Sequence, residues 1–269
     1  MPFLELQNLH THFSIKGGGL FSKTVDTVKA VNGVSLSIEK GEILGLVGES
    51  GCGKSTLSRT VMQLQPATSG RVILDGEELT SLPKNEVRNR RLDFQMIFQD
   101  PYASLNPRMT VYSTLAEAIC QRHPQLKKDS SLTAKVTELM NTVGLDARFM
   151  KKYPHEFSGG QRQRIAIARA LAPEPKLVIA DEPVSALDVS IQSQILNLLL
   201  NLRDKLDLTM IFISHDLSVV RYIADNIAVM FSGEIVEYGE ADDLFNHPKH
   251  PYTQKLLSAI PRLADQASA

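Results

Sequence analysis

Hydrophobic and polar residues follow two different periods along the chain, and the changes of period predict its elements. Alternation with a period of two at Phe3–Gln7 and Ala30–Ile38 predicts strands near the N-terminus. Short apolar runs are typical of strands buried on both faces, and they occur at residues 43–47, 176–180, 209–213 and 227–231. Helical periodicity lies between them, at residues 56–64, 191–205 and 217–224. This alternation predicts an α/β fold with a mostly parallel sheet covered by helices.

The character of the chain changes between Gln99 and about Ser158, where helical periodicity dominates and Pro and Gly stand at the joins. We therefore expect a helical subdomain at residues 99–158, inserted into a core formed by residues 1–98 and 159–237. A C-terminal helical tail is expected at residues 238–269. The glycine-rich stretch Lys16–Lys23 is predicted to be a surface loop.

Composition narrows the class of protein. The 269 residues include 29 basic and 30 acidic side chains. This balance gives the chain no broad positive surface of the kind that binds nucleic acid. No apolar run approaches the ~18 residues of a membrane span, and the N-terminus lacks the features of a secretory signal peptide. Cys52 and Cys120 are the two cysteines, which argues against a disulfide framework and suits a reducing compartment.

The residues from Gly48 to Ser55 fit the pattern G-x-x-x-x-G-K-[ST] between a predicted strand and a predicted helix. Glycines let backbone N–H groups face a phosphate, and the dipole of the following helix favours negative charge. Lys54 can then reach the β- and γ-phosphates, and the Ser55 hydroxyl can bind Mg²⁺. Cys52 is interpreted as a small tolerated residue, with a redox switch as the weaker alternative. The predicted nucleotide site consists of Gly48, Glu49, Ser50, Gly51, Cys52, Gly53, Lys54, Ser55 and Thr56.

Two later apolar strands also end in polar side chains. Asp181 and Glu182 follow one strand, and His215 follows the next. Ligands of such sheets bind at the carboxyl ends of the strands. We therefore expect Asp181 to hold Mg²⁺, Glu182 to act as general base toward a water, and His215 to contact the γ-phosphate. Taken singly, the acidic pair is equally compatible with a solvated turn, and a lone histidine is usually structural.

A second glycine-containing segment stands at a predicted loop-to-helix junction. Its serine can cap the helix, and its glycines expose N–H groups at the helix start, which makes a second anion-binding surface. Because one phosphate group does not need two such surfaces from one subunit, we expect this one to meet the nucleotide of another copy or a paralogue. Arg162 and Arg164 are expected to brace neighbouring acidic or backbone groups, with a nucleic-acid contact as the weaker alternative. The segment consists of Ser158, Gly159, Gly160 and Gln161.

These motifs, in this order, resemble those of the ATP-binding subunits of ABC transporters over nearly the full chain. Phe157 stands where the family usually has leucine, but the serine and glycines that touch phosphate are unchanged. The matching motifs are Gly48–Thr56 as Walker A, Gln99 as the Q-loop glutamine, Ser158–Gln161 as the signature, Leu177–Glu182 as Walker B, Ser185–Asp188 as the D-loop and His215 as the H-switch.

The resemblance implies a P-loop NTPase core of the RecA-like type with an N-terminal antiparallel β subdomain and an inserted α-helical subdomain. It implies ATP and Mg²⁺ as cofactors, with ATP held between the Walker motifs of one subunit and the signature of another. Catalytic roles fall to Glu182, His215 and Gln99, and Gln99 also reaches the metal and couples nucleotide state to the helical subdomain. Asp188 and Gln161 are implied nucleotide contacts, and Phe13 is similar in position to an aromatic residue that stacks on adenine.

A narrower resemblance concerns Gln99–Pro107 and His247–Leu257, which look like segments of the oligopeptide/dipeptide/nickel group of importers. It implies a peripheral ATPase at the cytoplasmic face of the cell membrane. Its partners would be a paralogous ATPase subunit, two membrane permease subunits and an external solute-binding protein. Because no cysteine follows Cys120, no iron–sulfur cluster is expected in this chain.

Other functions stay open at this point. An importer of nickel or another small solute belongs to the same group, and no residue of an ATPase subunit contacts the solute. A soluble ABC ATPase acting on the ribosome or DNA is a further alternative, but the single cassette and the absence of sustained heptads argue against it. An exporter ATPase is another alternative, but such ATPases are usually fused to membrane helices, and the sequence predicts none. By its residues alone, the segment around Pro251 shows no more than a capped helix.

Overall fold

The structure is a computed structural model that describes residues 2–16 and 24–259. Residues 17–23 of the predicted surface loop and residues 260–269 of the predicted tail lie outside the described residues. In the described residues, strands occur at β1 (Leu4–Lys16), β2 (Thr24–Ile38), β3 (Ile43–Val47), β4 (Ser69–Leu74), β5 (Glu77–Glu78), β6 (Phe94–Ile97), β7 (Leu177–Asp181), β8 (Thr209–Ser214), β9 (Asn226–Phe231) and β10 (Glu234–Glu240).

From β3 onward, helices separate most of the strands of the described residues; four α-helices follow one another between β6 and β7, and two follow β10. In chain order, the helices are α1 (Lys54–Val61), α2 (Lys84–Arg90), α3 (Pro101–Ser104), α4 (Val111–Arg122), α5 (Ser131–Thr142), α6 (Gly159–Leu171), α7 (Val189–Leu206), α8 (Leu217–Ile223), α9 (Ala241–Asn246) and α10 (Pro251–Ser258). Single turns of 3₁₀-helix lie at Leu79–Ser81, Pro124–Lys128, Ala147–Lys151 and Pro154–Glu156. No helix in the described ranges has both the length and the apolar character that a bilayer span requires.

The chain divides into two compact units, of which the first consists of Met1–Ser81 and Phe212–Ala269 and the second of Leu82–Ile211. The boundaries expected from the sequence, at residues 98 and 158, stay a prediction. Strand β8 carries the chain from the second unit back into the first.

The first unit contains an antiparallel sheet in the order β2-β1-β4-β5, which confirms the predicted N-terminal β subdomain. Strands β1 and β2 are longer than the sequence indicated. Their pairing has several register shifts, among them one between Leu6 and Leu9. Each shift interrupts the period of two, because an inserted residue moves the following side chains to the other face. The pattern therefore predicted only the regular parts of these strands.

The first unit also contains parallel pairing between β3 and β9, with β10 antiparallel to β9. All five residues of β3 are buried, as its continuous apolar run predicted. A Cβ at Gly45 of β3 would lie 2.2 Å from a side-chain carbon of Val220, so helix α8 packs directly on the strand here. This packing covers one face of the strand that leads into the predicted nucleotide site.

In the second unit, β6 and β7 are parallel, with Phe94 opposite Leu177 and Ile97 opposite Ala180. The helical character predicted after Gln99 is confirmed by α3, α4 and α5. Residues spaced three or four apart form the buried faces of α4 and α5, as expected for amphipathic helices. These buried residues are Val111, Leu115, Ile119, Leu132, Val136 and Met140.

Candidate functional site

The glycine-rich loop at residues 48–53 joins β3 to α1 and is packed tightly at its base. Gly53 has a φ of 113°, and a Cβ there would lie 2.1 Å from the carbonyl oxygen of Ala30 in β2. A Cβ at Gly48 would lie 2.2 Å from the carbonyl oxygen of Met230 in β9. Glycine is required at both positions, because a side chain would collide with backbone atoms. Gly51 is exposed, and a Cβ there would have no neighbour within 4 Å.

Lys54 begins helix α1, and its side chain turns back into the loop. Its exposed fraction is 6%, and its Nζ donates to the carbonyl oxygens of Gly48 at 2.6 Å and Glu49 at 3.0 Å. A phosphate oxygen is a stronger partner for an ammonium group than a neutral carbonyl is. No side chain caps the start of α1, so its first N–H groups are available to an anion. The loop therefore fits a phosphate chemically.

The two other candidate residues of the first unit are exposed. Phe13 lies in β1 opposite Val28 of β2, with 39% of its surface exposed. His215 follows β8 directly, as the sequence predicted. The next residue, Asp216, caps α8 by accepting the N–H of Ser218 at 2.8 Å. This cap begins a new helix immediately after the histidine and fixes the backbone on its C-terminal side.

In the second unit, the parallel pairing of β6 and β7 brings Gln99 and Glu182 together. The Gln99 side-chain amide donates to the Glu182 carboxylate, with 2.9 Å between Nε2 and Oε2. These residues are 83 positions apart in the sequence. Asp181 ends β7, so both carboxylates of the predicted pair stand at the carboxyl end of a parallel strand. Sequence reasoning assigned each residue a role but did not predict this contact.

Glu182 has an unusual backbone conformation, with a φ of 47° in the left-handed region. This conformation costs a residue with a side chain roughly 1–2 kcal/mol. A tight turn holds it, because both the N–H and the hydroxyl of Ser185 donate to the Glu182 carbonyl oxygen, at 3.3 and 3.1 Å. Such strain is found where the surrounding structure fixes a functional group.

The segment at residues 158–161 forms the N-terminus of α6 through a capping box. The Ser158 hydroxyl accepts the N–H of Gln161 at 3.3 Å, and the Gln161 side-chain oxygen accepts the N–H of Ser158 at 3.0 Å. Gly160 packs on α7, since a Cβ there would lie 2.5 Å from Cγ2 of Ile191. Ser158 and Gly159 are exposed at this helix start, as a surface for an anion requires.

Asp188 directly follows a residue that packs against this helix start. It is the N-cap residue of α7, it is exposed, and its side chain makes no capping hydrogen bond. A Cβ at Gly159 would lie 3.5 Å from Cδ2 of Leu187, the residue before Asp188. Val189, the first residue of α7, has 78% of its surface exposed. The structure thus places Leu187, the residue before Asp188, against the signature segment in the second unit.

The two arginines of the signature helix differ in their contacts. Arg164 donates to the carbonyl oxygen of Val143 at 2.8 Å, which confirms the predicted brace on the backbone. Arg162 lies over the ring of Tyr102, with its guanidinium carbon 5.2 Å from the ring centroid, and the sequence did not predict this contact. The sequence could not reveal this cation–π contact, because Tyr102 is 60 positions away on α3.

Sequence reasoning missed one residue that touches the phosphate loop. Tyr252 lies in α10, and its hydroxyl accepts the N–H of Glu49 at 2.9 Å. The prediction of a capped helix for this segment is confirmed, since Nδ1 of His250 accepts the N–H of Tyr252 at 3.2 Å. No local sequence pattern predicts the contact of Tyr252 with Glu49, because the two residues are 203 positions apart and meet only through packing.

A phosphate loop after a buried strand, with paired carboxylates after a parallel strand, defines a P-loop nucleotide-binding protein. Two family models match the chain, the ABC transporter model over residues 31–185 and the oligopeptide/dipeptide transporter C-terminal region over residues 236–268.

Relatives match over almost the whole chain. The oligopeptide transport ATP-binding proteins AppF of Bacillus subtilis and OppF of Escherichia coli are both 51% identical, over 96% of this chain and 78% and 77% of theirs. The glutathione import ATP-binding protein GsiA of Pectobacterium atrosepticum is 48% identical over 97% of this chain and 41% of its own length.

Solved structures agree in fold. CbiO1 of Clostridium perfringens, described as part of the ABC transporter complex cbiONQ, matches with a TM-score of 0.78 and 27% identity over 91% of each chain. The cassette MJ0796, solved as a dimer in a post-hydrolysis state with ADP and Pi, matches with a TM-score of 0.75 and 28% identity over 88% of this chain and 98% of that one.

The chain therefore belongs to the ATP-binding subunits of ABC transporters. It binds ATP and couples ATP hydrolysis to transport, and the predicted fold class and activity are confirmed.

Proposed function

We propose that this chain energises the import of oligopeptides. The observation that carries the proposal is the 51% identity to oligopeptide transport ATP-binding proteins over 96% of the chain. The match of residues 236–268 to the C-terminal region of oligopeptide/dipeptide transporters supports the same solute class. The relative named for glutathione import fits as well, because glutathione is itself a small peptide.

The triphosphate of ATP binds residues 48–56 in this proposal. The Lys54 ammonium keeps the Gly48 and Glu49 carbonyls as partners and turns its remaining N–H to a phosphate oxygen, which forms a stronger, charge-assisted hydrogen bond. Backbone N–H groups of the loop and of the uncapped start of α1 complete the cradle. The exposed ring of Phe13 stacks on adenine. Tight packing at Gly48 and Gly53 supports this assignment, because it fixes the cradle before the ligand arrives.

The oxygen donors proposed for Mg²⁺ are the Ser55 hydroxyl, the Asp181 carboxylate and the Gln99 side-chain oxygen, which are the ligand type this cation prefers. When bound, Mg²⁺ neutralises charge that develops on the phosphate oxygens. Glu182 accepts a proton from the attacking water as general base. The Gln99 amide nitrogen donates to the Glu182 carboxylate and orients it. The side-chain oxygen of Gln99 is then available to the metal. His215 contacts the γ-phosphate.

The exposed start of α6 faces the nucleotide of a second ATPase subunit in this proposal. Ser158, Gly159, Gly160 and Gln161 supply the anion-binding surface, and Asp188 lies beside it. The dimeric state of the solved cassette MJ0796 supports such an arrangement. The second subunit is a paralogue, and the pair acts at the cytoplasmic face of the membrane with two permease subunits and an external solute-binding protein. The description of CbiO1 as part of a transporter complex supports the membrane partners.

Uptake by cells that lack this gene tests the solute. We expect the wild-type gene to restore uptake of labelled tripeptides and hexapeptides, and Lys54→Ala to restore none, because the triphosphate contact is lost. Lys205→Ala, an exposed lysine on α7, is the matched control and should restore uptake fully. Restoration of nickel uptake without peptide uptake would contradict the proposal.

A further inference from the structure

Helix α10 contacts the phosphate loop at Glu49. The Tyr252 hydroxyl accepts the Glu49 N–H at 2.9 Å, and the Lys255 ammonium lies 3.7 Å from the Glu49 carboxylate. Tyr252 and Lys255 are three positions apart and therefore share a face of the helix. The ion pair is exposed, whereas Tyr252 is buried with an exposed fraction of 8%. The backbone contact is therefore the stronger of the two.

The bond to Tyr252 acts on one rigid peptide unit of the loop. The N–H of Glu49 and the carbonyl of Gly48 belong to the same planar peptide group, so fixing one end orients the other. That carbonyl is the partner of the Lys54 ammonium at 2.6 Å. Tyr252 thus holds the peptide that positions the lysine, although its hydroxyl does not touch the lysine itself.

The tyrosine is fixed in place by packing. Its ring lies against Phe231 at the end of β9, with ring centroids 4.3 Å apart. Burial and the nearby Glu49 carboxylate both raise the pKa of the Tyr252 hydroxyl, and the hydrogen bond from the Glu49 N–H lowers it. The net effect is a raised pKa. The hydroxyl therefore stays neutral at physiological pH and keeps its place as an acceptor.

The start of α10 is tied to β10. The Glu237 carboxylate accepts the N–H of Lys249 at 2.7 Å and that of His250 at 2.9 Å. Burial raises the pKa of Glu237, but the hydrogen bonds that its carboxylate accepts lower the pKa by more, so the net shift is downward and the group is anionic at neutral pH. A continuous series of hydrogen bonds thus runs from β10 through α10 to the phosphate loop.

We infer that Tyr252 is a positioning residue for ATP binding, which acts by orienting the peptide between Gly48 and Glu49. The inference rests on the proposed assignment of residues 48–56 to the triphosphate. Without the hydroxyl this peptide keeps one partner in place of two, and the Lys54 ammonium is less well placed for phosphate. The C-terminal segment that contains α10 is therefore a functional part of the nucleotide site.

The test measures binding of Mg²⁺–ATP to the full chain by calorimetry. Tyr252→Phe keeps the ring on Phe231 and removes only the hydroxyl. We expect affinity to fall roughly 3- to 10-fold, the size of one hydrogen bond. Tyr238→Phe is the matched control, because it removes a hydroxyl that donates to the Ser37 carbonyl at 3.4 Å, away from the loop. Lys255→Met should change affinity less than twofold, since its ion pair is exposed.

Two further readouts separate positioning from general stability. Hydrogen exchange at the Glu49 amide should accelerate in Tyr252→Phe and stay unchanged in Tyr238→Phe. In the assembled transporter, the KM for ATP should rise more than kcat falls. Unaltered ATP affinity in Tyr252→Phe would overturn the inference, as would an affinity loss that follows a lowered Tm without faster exchange at Glu49.

Lys54→Ala distinguishes this inference from the function on which it rests. If Lys54→Ala binds ATP normally, the proposed triphosphate site is wrong. If Lys54→Ala loses ATP while Tyr252→Phe binds it as the wild type does, the site is right and only the role of Tyr252 is wrong.

Discussion

At the scale of single residues, the chemistry-bearing side chains are held largely by the backbone around them. Lys54 is tied to two carbonyl oxygens of its own loop. Glu182 is directed by a left-handed backbone conformation that its turn stabilises, and by the amide of Gln99. Groups fixed in this way need little rearrangement when a ligand arrives, which is the condition for electrostatic preorganisation.

Glu182→Gln tests the proposed general base. The substitution keeps the size of the side chain and removes its ability to accept a proton, so ATP turnover should fall about 10²–10⁴-fold. ATP binding should persist, and ATP should trap a dimer that gel filtration detects. Phosphate release from the assembled transporter measures the rate. Glu138→Gln, an exposed carboxylate on α5, is the control, and near-normal hydrolysis by Glu182→Gln would remove Glu182 from this role.

At the scale of elements, the starts of three helices differ in what satisfies their N–H groups. In helix α6, the box between Ser158 and Gln161 satisfies the N–H groups of these two residues and does not involve those of Gly159 and Gly160. Helices α1 and α7 have Gly53 and Asp188 at the N-cap and no capping hydrogen bond from that side chain. Since the first N–H groups of a helix need partners, an uncapped start is suited to an anion. The start of α1 is the one that follows a phosphate loop.

The two glycines of the signature segment should respond differently to alanine. A Cβ at Gly160 would lie 2.5 Å from Ile191, whereas one at Gly159 would lie 3.5 Å from Leu187. The first distance requires Ile191 or the helices that carry the two residues to shift, and the second is ordinary contact. We expect Gly160→Ala to destabilise the protein by about 1–3 kcal/mol. Gly159→Ala serves as control and should change stability by less than about 1 kcal/mol. Urea denaturation compares them, and equal midpoints would contradict the packing argument.

At the scale of the whole molecule, the chain contains two surfaces suited to phosphate, one in each compact unit. The phosphate loop belongs to the first unit, and the signature segment belongs to the second. Each has its own rigid support, tight glycine packing in one and a capping box in the other. Such duplication is understandable if hydrolysis requires two ATPase subunits, each completing the site of the other.

Ser158→Arg tests this division of labour. A bulky cation at the start of α6 should abolish ATP hydrolysis in the assembled transporter, because the capping serine and its exposed surface are lost. ATP binding to the isolated chain should change less than about twofold, since Lys54 and its loop are untouched. Ser131→Arg, an exposed serine at the start of α5, is the control. An equal loss of ATP binding in the isolated chain would indicate that the signature serves its own nucleotide.

Much of the fold could be predicted because buried strands have continuous apolar sequences, as β3 and β8 do. Helix α2 was missed because it is mostly charged and buries only Val87, so it has no apolar stripe to detect. Strand β10 was missed because none of its side chains is fully buried; it is defined by its hydrogen bonds to β9. Elements held by backbone pairing alone leave little trace in a hydrophobic pattern.

The sequence by itself determined the nucleotide chemistry, because a phosphate loop, a carboxylate pair and a capped glycine segment are local patterns whose function follows from spacing. Only the tertiary structure decided which distant residues meet. The fold brings Gln99 to Glu182 and Arg162 to the ring of Tyr102. It also brings the Tyr252 hydroxyl to the Glu49 N–H. These contacts join residues far apart along the chain, and strand pairing and core packing fix their geometry. No local preference of the chain specifies them.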